Sequence, residues 1–350
     1  MKLLLISVKS EISRGGIATW TNHFLANCDA ENISCRLVNT DLVGRRALQE
    51  SSTRYLLDEA VRTRRIFREL GGALKSEHFD AAHLNTSCGA FGLFRDLLIA
   101  RRIKRRGIRL VTHFHCDISF WIRRRISRWA LGKLAALSDE RLVLCESSKQ
   151  YLEDAFGLPS DKMPNFLDNA LVLKEDRPLA DTPSTVLFVG RVCEEKGARE
   201  IYSLATRLPQ LTFRLVGALS KAVTAWDKPD NLVLVGSLDP AETLAEMDRA
   251  DLFLLPSYSE GFSFALTEAM ARGLPSVATD VGATADMLAD GCGTVVPVGD
   301  VDAMEEAFGR LTDRCIRQEM SRRATSKVRE KYATDRIIKQ MKRHYGGNER

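Results

Sequence analysis

The chain has 350 residues, 45% hydrophobic and 28% charged, with no low-complexity tract, which excludes disordered and fibrous classes. The first apolar run, residues 3–8, is one buried strand long, and no stretch approaches the roughly 20 apolar residues of a membrane span, so neither a secretory signal nor a transmembrane helix is expected. Residues 1–180 carry 29 Lys+Arg against 21 Asp+Glu and the remainder 22 against 25, so a basic first half should meet an anionic ligand or surface.

Short apolar runs alternate with helical patterns along the whole chain. Strands are expected at 2–8, 35–39, 81–85, 109–112 and 141–145, then at 185–189, 212–216, 231–235, 251–255, 276–278 and 294–296. Helical stretches lie between them, for example 17–28, 91–106, 148–156, 241–249 and 263–272. Such alternation predicts an α/β protein with two parallel, doubly wound, Rossmann-like sheets and the ligand in a cleft at strand C-terminal ends. A polar, two-proline segment at 174–184 reads as the linker, so domains of 1–178 and 179–327 are expected, with a basic helix at about 328–350 crossing back over the first. The eight cysteines (28, 35, 88, 116, 145, 193, 292, 315) form no C-x-x-C pair and read as reduced, mostly buried thiols of a cytoplasmic protein.

Arg14-Gly15-Gly16-Ile17 follows the first strand and opens a helix. Glycines there let backbone approach a phosphate at the positive helix end, although a Gly-Gly turn is also an ordinary strand–helix connection. His113 and His115 share a strand face in V-T-H-F-H; a metal site is conceivable, but one cleft-facing histidine is the better reading. Gly190-Arg191 ends the first strand of the second half, and Lys196-Gly197 follows. Two cations there can flank a diphosphate, unless Glu194 and Glu195 make this a merely solvated loop. Asp300-Val301-Asp302 reads as a helix cap rather than a metal-binding D-x-D.

Ser259-Glu260-Gly261-Phe262-Ser263-Phe264 through Glu268 follows the apolar strand at 251–255. A glycosidase pair is the obvious reading of the two glutamates. On one helix, however, eight residues at about 1.5 Å each place them roughly 12 Å apart. Glycosidase carboxyls sit about 5 Å or about 6.5–9.5 Å apart. Glu260 and Glu268 therefore read as grips on two parts of one long ligand, against the bland alternative of two surface glutamates. Arg101–Arg106 and the stretch from Trp121 to Trp129, with Arg123, Arg124, Arg125 and Arg128, are basic. The second reads as an amphipathic helix for an anionic membrane, or as a solvated face with its tryptophans in the core. No nucleic-acid module is present, so no nucleic-acid partner is expected.

In this order, Gly15-Gly16, His115, Pro164-Asn165-Phe166-Leu167-Asp168, Gly190-Arg191 with Lys196-Gly197, the pair Glu260 and Glu268, and Gly282 with Asp286 resemble the family 4 glycosyltransferases. The resemblance covers nearly the whole chain. It implies the GT-B fold, with two Rossmann-like domains facing a central cleft, an acceptor-binding first domain and a nucleotide-sugar-binding second. It also implies a metal-independent, retaining transfer from a nucleotide-diphosphate sugar to a glycan or lipid-linked acceptor, in cell-surface polysaccharide or glycolipid synthesis at the inner membrane face. Carried over, Gly15 and Gly16 touch the diphosphate, with Gly190 beside it. Arg191 and Lys196 stabilise it as it leaves. Glu260 binds sugar hydroxyls, and backbone N–H groups of Gly261, Phe262, Ser263 and Phe264 surround sugar and phosphate. Glu268 holds the ribose, and His115 contacts the donor sugar. The leaving phosphate takes the acceptor's proton, so no protein nucleophile is required.

The chain departs from the family pattern at Ser263 (often Gly), Phe166 (Gly in P-N-G), Ala283 (a second Gly) and Asp286 (Glu), which bears on sugar identity and loop geometry. A GT-B sugar-nucleotide epimerase, or an inactive binding scaffold, are the competing readings. The epimerase would release product without an acceptor. Retention of Arg191, Lys196, Glu260 and Glu268 together speaks against the scaffold.

Overall fold

The computed structural model describes residues 1–9, 15–42 and 56–346. Arg14 lies outside the described residues, as do residues 347–350 of the basic tail. The chain divides into two units: Met1–Asn165 with Thr334–Arg350, and Phe166–Ala333.

The first unit holds six parallel strands: β1 (Lys2–Ser7), β2 (Ser34–Asn39), β3 (Ala81–Thr86), β4 (Arg109–Phe114), β5 (Glu140–Val143) and β6 (Asp161–Lys162). Their spatial order is β2-β1-β3-β4-β5-β6. Helices α1 (Gly16–Asn27), α2 (Leu56–Ser76), α3 (Ala90–Lys104), α4 (Ile118–Trp121), α5 (Arg125–Leu137) and α6 (Glu146–Phe156) connect them. Parallel strands covered on both faces read as unbroken apolar runs. Leu3, Leu4, Leu5 and Ile6 of β1 are accordingly fully buried.

The second unit has β7 (Thr185–Val189), β8 (Thr212–Val216), β9 (Leu232–Gly236), β10 (Leu252–Leu255), β11 (Ser276–Thr279) and β12 (Thr294–Val296), again all parallel. Between and after them run α7 (Ala198–Arg207), α8 (Pro240–Arg249), α9 (Phe264–Ala271), α10 (Thr284–Leu288), α11 (Val301–Arg310) and α12 (Arg314–Lys331). The spatial order is β12-β11-β10-β7-β8-β9, the 3-2-1-4-5-6 arrangement of a Rossmann sheet read from its other edge. The eleven expected strands all form, with ends within two residues; the two-residue β6 carries no sequence pattern and was not expected.

The domain boundary falls earlier than the proline-rich segment suggested. Residues 166–178 belong to the second unit because their backbone and one buried arginine are tied to it. Leu167 N–H donates to Tyr332 O, and Leu173 N–H to Ala271 O. Arg177 is buried and donates to the carbonyls of Met247, Asp248, Ala250 and Arg272, satisfying the C-terminal ends of α8 and α9. At the other end, α12 stays with the second unit. The returning helix is α13 (Thr334–Gly346), which buries Ile337, Ile338, Met341 and Tyr345 against α1, β3 and β4 of the first unit.

Candidate functional site

Doubly wound sheets bind ligands beyond strand C-termini where the strand order reverses. In the second unit that point lies between β7 and β10. The loop after β7 carries Gly190, Arg191 and Lys196; the loop after β10 carries Ser257 to Ser263. The fold thus brings together the segments singled out in the sequence.

Lys196 Nζ donates to Glu260 Oε1 at 2.6 Å and to Ser259 O at 3.1 Å, and Ser257 Oγ donates to the same Glu260 oxygen at 2.8 Å. Lys196 and Glu260 are 22% and 15% exposed, so both charges are reachable yet largely removed from water. Arg191 is exposed and makes no hydrogen bond or ion pair among the described residues. Two glycines shape this loop cluster. Gly197 has φ +79°, and a Cβ there would meet Pro256 O at 2.2 Å. Gly282 has φ +57°, and its Cβ would meet Glu260 O at 2.3 Å.

Glu260 lies in the loop ahead of α9 and only Glu268 is on the helix, so the one-helix estimate of their separation does not apply. Ser263 caps α9, its Oγ accepting from Leu266 N–H, which leaves first-turn N–H groups at the helix's positive end. Phe262 is buried edge-on against Tyr332, ring centroids 5.1 Å apart. Burial alone raises the Glu268 carboxyl from its ordinary 4.5 to about 7. Its side chain has no hydrogen-bond partner among the described residues and stays partly accessible to solvent. Asp300 caps α11 by accepting from Ala303 N–H, as its position suggested.

In the first unit the order reverses between β1 and β3. Gly15 and Gly16, both exposed, are the N-cap and first residue of α1, the next described element after β1. His115 Nε2 lies 2.9 Å from Asn85 Oδ1, and His83 Nε2 lies 2.9 Å from the same oxygen. The His113 and His115 rings are 4.0 Å apart, and His83 adds a third histidine that the V-T-H-F-H motif alone did not disclose. Burial, reinforced by the His83 charge, pushes His115 down to about 3, and burial pushes His83 to about 3, so both are neutral at physiological pH. With Asn85 Oδ1 facing both Nε2 atoms, these histidines are hydrogen-bonded to an amide rather than converging on a metal. Among the described residues, the trio whose ligand atoms do converge is Glu140, Asp161 and His344, where Arg109 already donates to Glu140 at 2.5 Å.

Residues 14–167 match the family described as Glycosyltransferase Family 4, and residues 172–330 match Glycosyl transferases group 1. The chain belongs to the family 4 glycosyltransferases. A phosphatidyl-myo-inositol mannosyltransferase of Mycolicibacterium smegmatis is 32% identical over 203 residues, 54% of this chain and 52% of that protein, so the match spans about half of that relative's length. Two solved structures share the fold over nearly the full length. Sucrose-phosphate synthase of Thermosynechococcus elongatus has a TM-score of 0.78 at 18% identity, covering 98% of each chain. HepE of Anabaena, in complex with UDP and glucose, has a TM-score of 0.72 at 15% identity, covering 99% of this chain and 100% of that one.

Within this glycosyltransferase-family chain the basic stretch is not one helix. It breaks between α4 and α5, where Ile122 is buried and Arg124 caps α5. Nor are its tryptophans in the core: Trp121 is 58% and Trp129 50% exposed, beside Ile126 at 60%. Arg123, Arg124, Arg125 and Arg128 are exposed with them. No helix among the described residues is long and apolar enough to cross a membrane. Ser257, Asn85, His83 and Tyr345 were not singled out in the sequence. For Asn85 the available signal was a polar residue ending a buried strand.

Proposed function

We propose that this chain is a retaining, metal-independent glycosyltransferase that moves a sugar from a nucleotide-diphosphate donor to a glycan or lipid-linked acceptor. The observation that carries the reading is the placement of Arg191 and the Lys196–Glu260 pair at the β7/β10 reversal, next to the N-terminus of α9. A diphosphate leaving group needs fixed positive charge where negative charge develops. Arg191 and Lys196 supply it from the one loop that follows β7, and the α9 amides add a helix end that suits an anion. One Glu260 oxygen is held by Lys196 and Ser257, which suits a hydroxyl acceptor better than a nucleophile. Glu268 takes the ribose hydroxyls.

In the reaction the anomeric C–O bond to the diphosphate breaks. The acceptor oxygen bonds on the same face, and its proton passes to the departing phosphate. Gly15 and Gly16 at the start of α1 meet the diphosphate, and His115 meets the donor sugar. The first unit takes the acceptor and the second the donor. UDP and glucose in the Anabaena neighbour, and the lipid in the mannosyltransferase's name, support a nucleotide-sugar donor and a lipid or glycan acceptor as the ligand classes.

The exposed Trp121, Ile126 and Trp129 among four arginines support contact with an anionic membrane surface, where a lipid-linked acceptor is presented. The test is thermal stabilisation by UDP-glucose, UDP-N-acetylglucosamine and GDP-mannose. At least one should raise Tm in wild type and far less in Glu260→Ala. Equal effects of all three in both proteins would remove the site assignment.

A further inference from the structure

A directed chain of hydrogen bonds runs from the first turn of α1 to the C-terminal helix and passes through the amide that holds His115. Ile17 O is a carbonyl and only accepts, so Thr21 Oγ1 donates to it at 2.8 Å. With that proton committed, Ser7 Oγ donates to Thr21 Oγ1 at 2.6 Å and in turn accepts from Asn85 Nδ2 at 2.8 Å. Asn85 Oδ1 therefore faces both histidines and requires a proton on Nε2 of His83 and on Nε2 of His115. His83 Nδ1 is left as a lone pair and accepts from Tyr345 Oη–H at 2.8 Å. Ser7, Thr21, His83, Asn85 and Tyr345 are all buried, so water does not scramble these directions.

We propose that Tyr345, His83 and Asn85 are positioning residues that fix His115 as the neutral Nε2–H tautomer, reserving its Nδ1 lone pair for a hydroxyl of the donor sugar. This rests on the assignment of His115 to the donor sugar made above. The opposite orientation of the Asn85 amide is excluded by Ser7, whose one proton is committed to Thr21 and whose oxygen therefore needs the Asn85 N–H. A tautomer exchange at His83 would leave Asn85 Oδ1 facing a lone pair, and the Tyr345 hydroxyl, donating to Nδ1, holds the tautomer that avoids this. The C-terminal helix α13 thus does more than cover the first sheet. It supplies the hydroxyl that terminates the chain of donors.

The experiment uses full-length protein labelled with 15N-histidine, as wild type, Tyr345→Phe, Asn85→Ala and His115→Ala, the last also assigning the His115 signals. Turnover is nucleoside diphosphate release from whichever of UDP-glucose, UDP-N-acetylglucosamine and GDP-mannose wild type uses fastest. In wild type the His115 pair should show a protonated Nε2 and an unprotonated Nδ1. Tyr345→Phe should shift that pair toward a tautomer mixture and lower kcat about tenfold, with donor KM held within about twofold. Asn85→Ala should do both more strongly. A purely structural role would lower Tm in Tyr345→Phe while leaving the 15N pattern and kcat as in wild type, and that result would overturn the proposal. Wild-type turnover in His115→Ala would instead refute the assignment of His115 itself, so the two failures are distinguishable.

Discussion

Lys196 Nζ and Glu260 Oε1 form a 2.6 Å ion pair at the point where the second sheet reverses its strand order. The pair stores the positive charge the proposed reaction needs without leaving it uncompensated when no donor is bound. Ser257 holds the same carboxylate oxygen, and Gly197 at φ +79° lets the lysine loop pass Pro256. In the proposed reaction an entering diphosphate would compete with Glu260 for Lys196 and free Glu260 for the sugar hydroxyls.

Lys196→Ala and Glu260→Ala should each lower donor turnover by about 10²- to 10³-fold. Both proteins should stay folded, with Tm within a few degrees of wild type, because the pair is partly solvated and its net contribution to stability is small. Since the two residues share one interaction, the double variant should cost less than the product of the single effects. Steady-state rates and melting curves of the three proteins check this, and wild-type-like turnover in either single variant would contradict it.

Glu268 makes stability depend on pH in a defined direction. Its folded value is about 7 against an ordinary 4.5, so between these the native state holds a proton that the unfolded chain has lost. Native stability from this group is therefore complete below about pH 4.5 and is lost as pH rises through 7. Glu268→Gln should melt with wild type near pH 4.5 and several degrees above it at pH 8, an effect of at most about 3 kcal/mol. Donor affinity should move the other way, rising with pH in wild type as the carboxylate forms and becoming flat and weaker in Glu268→Gln. Melting and donor titrations at pH 5, 6, 7 and 8 separate the two effects.

Much of this architecture was legible in the sequence because parallel strands buried on both faces leave short apolar runs, such as Leu252–Leu255, that little else explains. The loops after β7 and β10 were legible too, since glycines and charges at strand ends have few structural uses. What sequence pattern did not give was pairing between distant segments. Nothing near Lys196 foretells that its partner is a glutamate 64 residues away. Likewise His83 and Tyr345 are 262 residues apart and meet only because α13 returns to the first unit. The domain boundary was misplaced because prolines and charges at 174–184 suggest a linker, whereas one side chain, Arg177, binds that segment to four carbonyls.

Arg177→Ala should therefore be among the more destabilising changes outside the apolar core. It leaves buried carbonyls at two helix ends unpaired, which should cost about 2–4 kcal/mol. Chemical denaturation should show the loss, and Arg177→Lys should recover only part of it, since one ammonium cannot reach every carbonyl the guanidinium serves. A variant as stable as wild type would mean that water replaces the arginine.

Replacing Arg123, Arg124 and Arg125 together by Ser should weaken binding to vesicles containing anionic phospholipid and leave donor hydrolysis in detergent-free solution unchanged. Each surface cation contributes about 1 kcal/mol near an anionic leaflet, so the triple change should lower vesicle affinity by about two orders of magnitude or more at low salt. The difference should shrink at high ionic strength. Co-sedimentation with neutral and anionic vesicles measures it, and unchanged binding to anionic vesicles would leave the exposed Trp121 and Trp129 without this role.

The proposed reaction transfers sugar from a nucleotide donor and keeps its anomeric configuration. The most direct measurement is NMR of the product formed from UDP-glucose, UDP-N-acetylglucosamine or GDP-mannose with a panel of glycan and lipid-linked acceptors, in the presence of a chelator, with Lys196→Ala as control. Wild type should give a glycoside with the donor's anomeric configuration, and Lys196→Ala should lose the product. A product of inverted configuration, or equal product from Lys196→Ala, would contradict it.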